Sequence, residues 1–307
     1  MTSSTRPFRQ AIGRGFLFPK GIPATRSGTE RFSLAAFVQL VIAAFLGACS
    51  SSVESEVERP AQDWHFESDF DEARQLVDMF HADLSAWTNV QCVQPEGSQA
   101  SMPVGLAVVC GANTIGLDTG RADSGPASLR MDASPTGASV SKAAIAKQGM
   151  DFRPGDRITA RFRLYLEDNG SAENLFLMDF ESTEKLGYPG RRLALSSGQE
   201  LMLESKNTGG AFGSGPNFRQ ASAAKMPLPK GRWVSIRLEL DLARDGQGGV
   251  KIWQDDVLVL EARGQTFPTE PEITRYDWME LGITANSSAS SQRLWLDDVS
   301  LSRTGSR

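Results

Sequence analysis

Arg161, Arg163 and Tyr165 stand at alternate positions of the stretch Arg157 to Leu166, interleaved with Ile158, Ala160, Phe162, Leu164 and Leu166. A strand sends successive side chains to opposite faces, so the three polar residues share one face and the five apolar ones the other. Lys251 and Trp253 likewise lie opposite Val250 and Ile252. If both polar faces line one groove, that groove carries cations and aromatic rings. A guanidinium meets a carboxylate or sulfate through two parallel hydrogen bonds, and a Trp or Tyr face stacks on a pyranose ring. Such a groove suits an anionic sugar chain. The alternative reading is an ordinary solvated face on which Trp253 caps the edge of a core.

Two reaction types fit carboxylated sugars. An eliminating enzyme needs a base, and later an acid, to move the proton beside the sugar carboxylate. It also needs a cation to neutralise that carboxylate as the enolate forms. Tyr165, Tyr188, Tyr276, His65 or His81 could act as the base, and Arg161 or Arg163 could neutralise. A hydrolase needs two carboxylates roughly 5–10 Å apart. Asp179 and Glu181 share a face if Asn174 to Glu181 is a strand, as do Glu239 and Asp241. Paired acids are also common on solvated strands.

The elements that must position these residues are short strands. Val234, Ile236, Leu238, Leu240 and Leu242 alternate with Ser235, Arg237, Glu239 and Asp241, and a Gly-rich turn follows. Val250 to Gln254 and Val257 to Ala262 flank the tight turn Asp255-Asp256. Further strands are expected at Trp64–Phe70, Trp87–Val93, Val104–Cys110, Ser128–Met131, Ala138–Ala146 and Arg157–Leu166. Others are expected at Asn174–Glu181, Arg191–Ser196, Glu200–Lys206, Met279–Ala285 and Arg293–Ser302. Ala73, Leu76, Val77 and Phe80 have helical spacing, so a short helix is expected within Asp71–Leu84. Gly116 to Pro126 and Asn207 to Gln220 read as loops. Many short alternating strands with little helix mean an all-β sandwich or barrel.

The run GRWVSIRLELDL, a Gly-rich turn, GVKIWQDDVLVLEA and the late LGIT…RLWLDDVSLS resemble the concanavalin A-like jelly roll. Laminin-G-like domains, legume lectins, family-16 glucanases and several polysaccharide lyases share that fold. Trp233, Trp253, Asp255 and Asp297-Asp298-Val299 sit where its motifs fall, with Asp255-Asp256 replacing the usual Asp-Gly. The resemblance implies a jelly-roll β-sandwich with a concave sheet facing the ligand. It implies little about activity, because function lies in the site and not the fold. The Gln-x-His tripeptide frequent in jelly-roll lyases is absent, and Asp179 to Glu184 does not reproduce the glucanase spacing Glu-x-Asp-x-x-Glu. The resemblance also implies a structural Ca²⁺ held between the first and last strands. Asp69, Asp71, Asp297 and Asp298 are its candidate ligands, although Asp is equally at home in turns.

The address is read from the N-terminus. Arg6, Arg9, Arg14, Lys20, Arg26 and Arg31 precede an uncharged run from Phe32 to Ala48. Basic, apolar and small-residue segments in that order make an export signal, and an uncleaved anchor is the alternative. Leu46-Gly47-Ala48-Cys49 resembles the bacterial lipobox, which implies lipidation of Cys49. Ser50 after it implies the outer membrane, by resemblance to Gram-negative lipoproteins. The expected organisation is a signal over 1–48, a tether over 49–62 and one β-sandwich over 63–307. The whole chain carries −5, and removing the basic leader leaves it more acidic. That argues against a nucleic-acid partner. In an exported chain the two remaining cysteines, Cys92 and Cys110, read as one disulfide, with two buried thiols as the alternative.

Two functions remain open. One is a membrane-anchored glycan-binding lipoprotein that recognises a polysaccharide or cell-surface glycan through Lys251 and Trp253. The other is a polysaccharide lyase acting on a uronate polymer, with Tyr165, Arg161 and Arg163 catalytic. A structural envelope role is a third. None of them requires a cofactor.

Overall fold

In the computed structural model, residues 63–81, 84–94, 96, 99–100, 107–137, 139–185, 187–206, 217–223 and 225–305 are described. The export segment, Cys49 and the tether lie outside them. Among the described residues no helix is long and apolar enough to cross a membrane.

The strands are β1 (Trp64–Ser68), β2 (Asn89–Val93), β3 (Gln99–Ala100), β4 (Ala107–Cys110), β5 (Asn113–Asp118) and β6 (Ser128–Ala133). Next come β7 (Lys142–Phe152), β8 (Arg157–Leu166), β9 (Leu175–Glu181), β10 (Gly190–Leu195) and β11 (Leu201–Lys206). The chain closes with β12 (Trp233–Asp241), β13 (Gly249–Gln254), β14 (Val257–Arg263), β15 (Tyr276–Asn286) and β16 (Gln292–Thr304). They form two antiparallel sheets, consistent with the expected jelly-roll sandwich. One has nine strands in the order β14-β13-β12-β8-β16-β6-β5-β4, with β1 added along β16. The other has seven, β11-β10-β9-β15-β7-β2-β3.

The alternation read from the sequence is what joins the sheets. Ile158, Phe162 and Leu164 of β8 and Val234, Ile236 and Leu238 of β12 are buried in the same core as Leu193, Leu203 and Leu281 of the other sheet. Each such side chain contributes about 1.5–3 kcal/mol when removed from water. Asp255 and Asp256 both adopt positive φ, 49° and 64°, as a two-residue hairpin turn requires. Asp255 tolerates this because Ser235 N and Arg232 Nη2 donate to its carboxylate at 2.9 and 2.7 Å.

Two expectations are corrected. Among the described residues of Asp71–Leu84 only a single 3₁₀ turn forms, Leu76–Met79. Val77 is exposed, and the backbone beyond the turn bonds across instead of continuing: Trp87 N donates to Met79 O at 3.1 Å and His81 N to Trp87 O at 3.3 Å. Tertiary pairing outweighs a weak helical spacing. Part of the expected loop Gly116 to Pro126 is strand, because β5 pairs with β6 as far as Asp118.

Cys92 of β2 and Cys110 of β4 form the disulfide, and their strands lie in different sheets. It therefore bolts the sandwich across its layers. Its reduction is expected to cost about 3 kcal/mol for a loop of this size. Thermal unfolding with and without reductant checks this, the expected result being a lower midpoint on reduction.

Candidate functional site

The outer face of the seven-stranded sheet carries charge where a sheet of this length would normally carry solvated side chains. Register sets the arrangement. Lys206, Gly190, Glu181 and Trp278 are successive cross-strand partners over β11, β10, β9 and β15. The next row is Glu204, Arg192, Asp179 and Glu280. Gly190 has no alternative residue, since a Cβ there would lie 1.7 Å from Phe180 O. Beyond these rows an apolar patch of Phe176, Ala194, Met202 and Ala285 is separate from the main core. The Arg192 guanidinium sits 4.4 Å over the Phe176 ring.

Asp179, Glu181 and Glu280 bring carboxylate oxygens within 4.8 Å of one another, and all three are buried. Two lysines answer them. Lys206 Nζ donates to Glu181 and lies 3.5 Å from Asp179. Lys142 Nζ crosses from β7 to reach Glu280 at 2.7 and 3.0 Å. Thr284 Oγ1 donates to Asp179 at 2.9 Å, and Arg192 lies 3.0 Å from Glu204. Glu181 Oε2 and the Trp278 indole nitrogen are buried without a hydrogen-bond partner among the described residues. Buried polar atoms are nearly always satisfied.

The charges sort themselves. Burial, and then Glu280 and Asp179, push the Glu181 carboxyl well above its usual range against Lys206 and Lys142. Burial also works to raise Asp179, but Lys206, Arg192 and Lys142 outweigh it and hold that carboxyl below its usual value. Burial pulls the Lys206 ammonium down, and the three carboxylates overcome it and hold it above its usual value. The cluster thus favours the charged forms of Lys206 and Asp179 and disfavours ionisation of Glu181. A carboxyl raised on folding stabilises the fold below its unfolded value, near 4.5, and loses that contribution as pH rises through the folded value. Glu181→Gln is therefore expected to gain stability relative to the parent as pH rises from acid to neutral. Urea denaturation across that range checks it, and a constant difference would contradict it.

Tyr188 stands beside this cluster. Its ring stacks on Trp278, with centroids 6.4 Å apart and planes 25° from parallel, and it is 43% exposed. It lies in the turn from β9 to β10, two residues before Gly190, with a positive φ of 49°. The turn is pinned to the start of β15, where Thr183 N and Oγ1 donate to Asp277 at 2.8 and 2.7 Å.

The sequence-derived candidates lie elsewhere. Arg161, Arg163, Tyr165, Lys251 and Trp253 do share a face, but it is the outer face of the nine-stranded sheet, across β8, β12 and β13. Asp123 takes the Arg163 fork. Tyr165 is boxed edge-on between Trp233 and Trp295, with Arg121 3.9 Å over its ring. Tyr276 is wholly buried, donates to Thr266 O at 3.0 Å, and is pushed far above its usual value by burial. His65 lies on β1 against Glu67 at 2.8 Å. His81 lines a separate cavity of about 700 Å³ with Asp69 and Asp298. Of the five proposed bases, Tyr188 is the one the structure sets beside the charged cluster.

The four calcium candidates do not converge. Among the described residues the acidic group within 4.8 Å that could hold a metal ion is Asp179, Glu181 and Glu280, and there two lysines already supply positive charge. Asp297 is consumed by the backbone: Asp123 N and Ser124 N donate to one oxygen at 2.8 and 3.2 Å, and Asp298 N to the other at 2.9 Å. Asp71 Oδ1 is buried and unsatisfied, but no three of the four acids present oxygens to one point.

A family model described as polysaccharide lyase matches residues 81–300. The chain belongs to the polysaccharide lyase family. Among solved structures, this chain is similar to an endo-β-1,4-glucuronan lyase from the fungus Trichoderma reesei at 14% identity, covering 72% of this chain and 96% of that one, with a TM-score of 0.50. The alginate lyase Aly36B has 10% identity over 77% of this chain and 96% of its own, with a TM-score of 0.47. The marine PL-14 alginate lyase from Aplysia kurodai has 13% identity over 61% and 86%, with a TM-score of 0.43. Among the curated proteins none matches.

The sequence pairs Asp179 with Glu181 only as hydrolase acids and passes over Glu280, Lys142, Lys206 and Arg192, but one signal marks the acids as buried. Asp179 and Glu181 interrupt the otherwise apolar LFLMDFE, and Glu280 interrupts WMELGITA. A charge inside a run that reads as a fully buried strand needs a partner.

Proposed function

We propose that this polysaccharide lyase cleaves a uronate polymer by β-elimination on the outer face of the seven-stranded sheet. The observation that carries the reading is the buried lysine–carboxylate cluster with Tyr188 stacked beside it on Trp278. The sugar carboxylate would seat against Lys206, with Lys142 and Arg192 adding positive charge. Neutralising it lowers the cost of the enolate that forms when the C5 proton leaves. The phenolate form of Tyr188, at the exposed rim, takes that proton and becomes the phenol. The C5–H electron pair becomes the C4–C5 double bond, and the C4–O bond breaks with its pair on the leaving oxygen. That oxygen takes back the proton that Tyr188 received. No step is routed through a metal ion.

Glucuronan and alginate, named for the similar structures, are both uronate polymers. The cations on this face support the same chemical class for this chain and do not choose between them. The absence of Gln-x-His had favoured a binding-only role. That role accounts less well for a buried carboxyl held above its usual range beside two lysines. Residues 1–62 support a place for the enzyme: a lipid on Cys49 would hold it at the outer membrane, close to polymer in the surroundings. The deciding experiment incubates the full chain with glucuronan, alginate and pectate and follows ultraviolet absorbance of the unsaturated product. A steady rise on one polymer is expected. No rise on any uronate polymer would refute the reading.

A further inference from the structure

The nine-stranded sheet holds a second charged face, on the opposite side of the sandwich from the cluster. Arg161 of β8 and Arg237 of β12 are direct cross-strand partners, and Trp253 of β13 continues the row. Arg161 is exposed, and no ion pair holds it among the described residues. The Arg237 guanidinium lies flat on Trp253, 3.7 Å from the ring centroid. Its Nε is buried without a hydrogen-bond partner, and its nearest acid, Glu239, stays 3.9 Å away. Like charges directly opposite on neighbouring strands destabilise a sheet. Three other cations on this face have an acid at bonding distance: Arg163 with Asp123, Lys251 with Glu261 and Arg157 with Asp241. The Arg161–Arg237 pair departs from that pattern.

We infer that this row is a second, non-catalytic subsite for an acidic polysaccharide. A sugar carboxylate placed between the two guanidinium groups removes their repulsion and takes up their open donors. The Trp253 ring beside Arg237 gives the sugar an apolar neighbour. Two rows further, beyond Arg163, Trp233, Tyr165 and Trp295 are aligned across β12, β8 and β16. Four residues along β8 span about 13 Å, room for more than one sugar along the strand direction. Polymer bound here would be held to the protein while another stretch is cleaved on the opposite sheet. Naming the occupant as a uronate polymer rests on the lyase reading. The subsite itself rests on the arginine row.

The test compares the full chain with Arg161→Glu and with the double variant Arg161→Ala/Trp253→Ala. Two readouts are taken: migration in native gels cast with alginate or glucuronan, and turnover of a uronate tetrasaccharide. Retardation by polymer is expected to weaken about tenfold in apparent affinity, the worth of one charge-assisted contact. Tetrasaccharide turnover should stay within about twofold of the parent. Arg161 is exposed, so the single charge reversal remains informative if the double variant folds poorly. Unchanged retardation in Arg161→Glu, or no retardation of the parent by either polymer, would overturn the inference. Arg161-dependent retardation without turnover would keep the subsite and remove the lyase reading. Turnover with Arg161-independent retardation would do the reverse.

Discussion

Lys206→Met is expected to lower turnover of the uronate polymer by at least about a hundredfold, the usual cost of removing one group that stabilises developing charge. Lys206 is the cation closest to the centre of the cluster, against Asp179 and Glu181. Without it the enolate forms beside three carboxylates and one remaining lysine. The same change destabilises the fold, because removing one member of a buried pair leaves the other charge uncompensated, at about 3–5 kcal/mol. Two companions separate the effects. Lys206→Met combined with Glu181→Gln removes one buried carboxylate with the cation. It should recover most of the lost stability and none of the activity. Lys206→Arg keeps the charge and should keep more activity than the methionine variant. Activity recovering together with stability in the double variant would mean that Lys206 is only structural.

Tyr188→Phe is expected to lower kcat by about 10²–10⁴-fold, the range for loss of a general acid–base group. The ring, and with it the stack on Trp278, is retained. Tyr188 is 43% exposed, so the change in stability should stay within about 0.5 kcal/mol. The readout particular to a proton-transfer role is the pH–rate profile. The parent should show a limb that the phenylalanine variant lacks, while KM moves little. A variant with full kcat would return the base role to another group of the cluster. A variant that lost affinity alone would make Tyr188 a sugar-stacking residue.

These residues come together through register. Lys142, Asp179, Glu181, Lys206 and Glu280 lie on four strands, β7, β9, β11 and β15, separated by as many as 138 positions for the Lys142–Glu280 pair. Lys142 and Lys206 each look like ordinary polar positions on a strand, and the acids are marked only by the apolar runs they interrupt. Their burial, and hence the raised Glu181 carboxyl, exists only once those strands are neighbours.

What the sequence determined by itself is what depends on local alternation and turn chemistry. The period-2 pattern of Arg157 to Leu166 and of Val234 to Leu242 specified strands with one buried face, and both are found so. The Asp255-Asp256 turn and the pairing of the two cysteines left in a chain read as exported were legible for the same reason. The family-like closing run ending in Asp297-Asp298-Val299 pointed to the jelly roll. The helical spacing near Leu76 misled, because a short amphipathic signal is weaker than the cross-chain bonds to Trp87 that replaced it. Only the tertiary structure decided which sheet each strand joins, and therefore which polar face meets which. Alternation tells that Arg161, Arg163 and Tyr165 point away from the core. It cannot tell that Asp123 and two tryptophans already occupy two of them, or that the buried charges gather on the other sheet. Those facts depend on the order of strands in space, and a one-residue shift in any pairing would turn every one of these side chains to the opposite face.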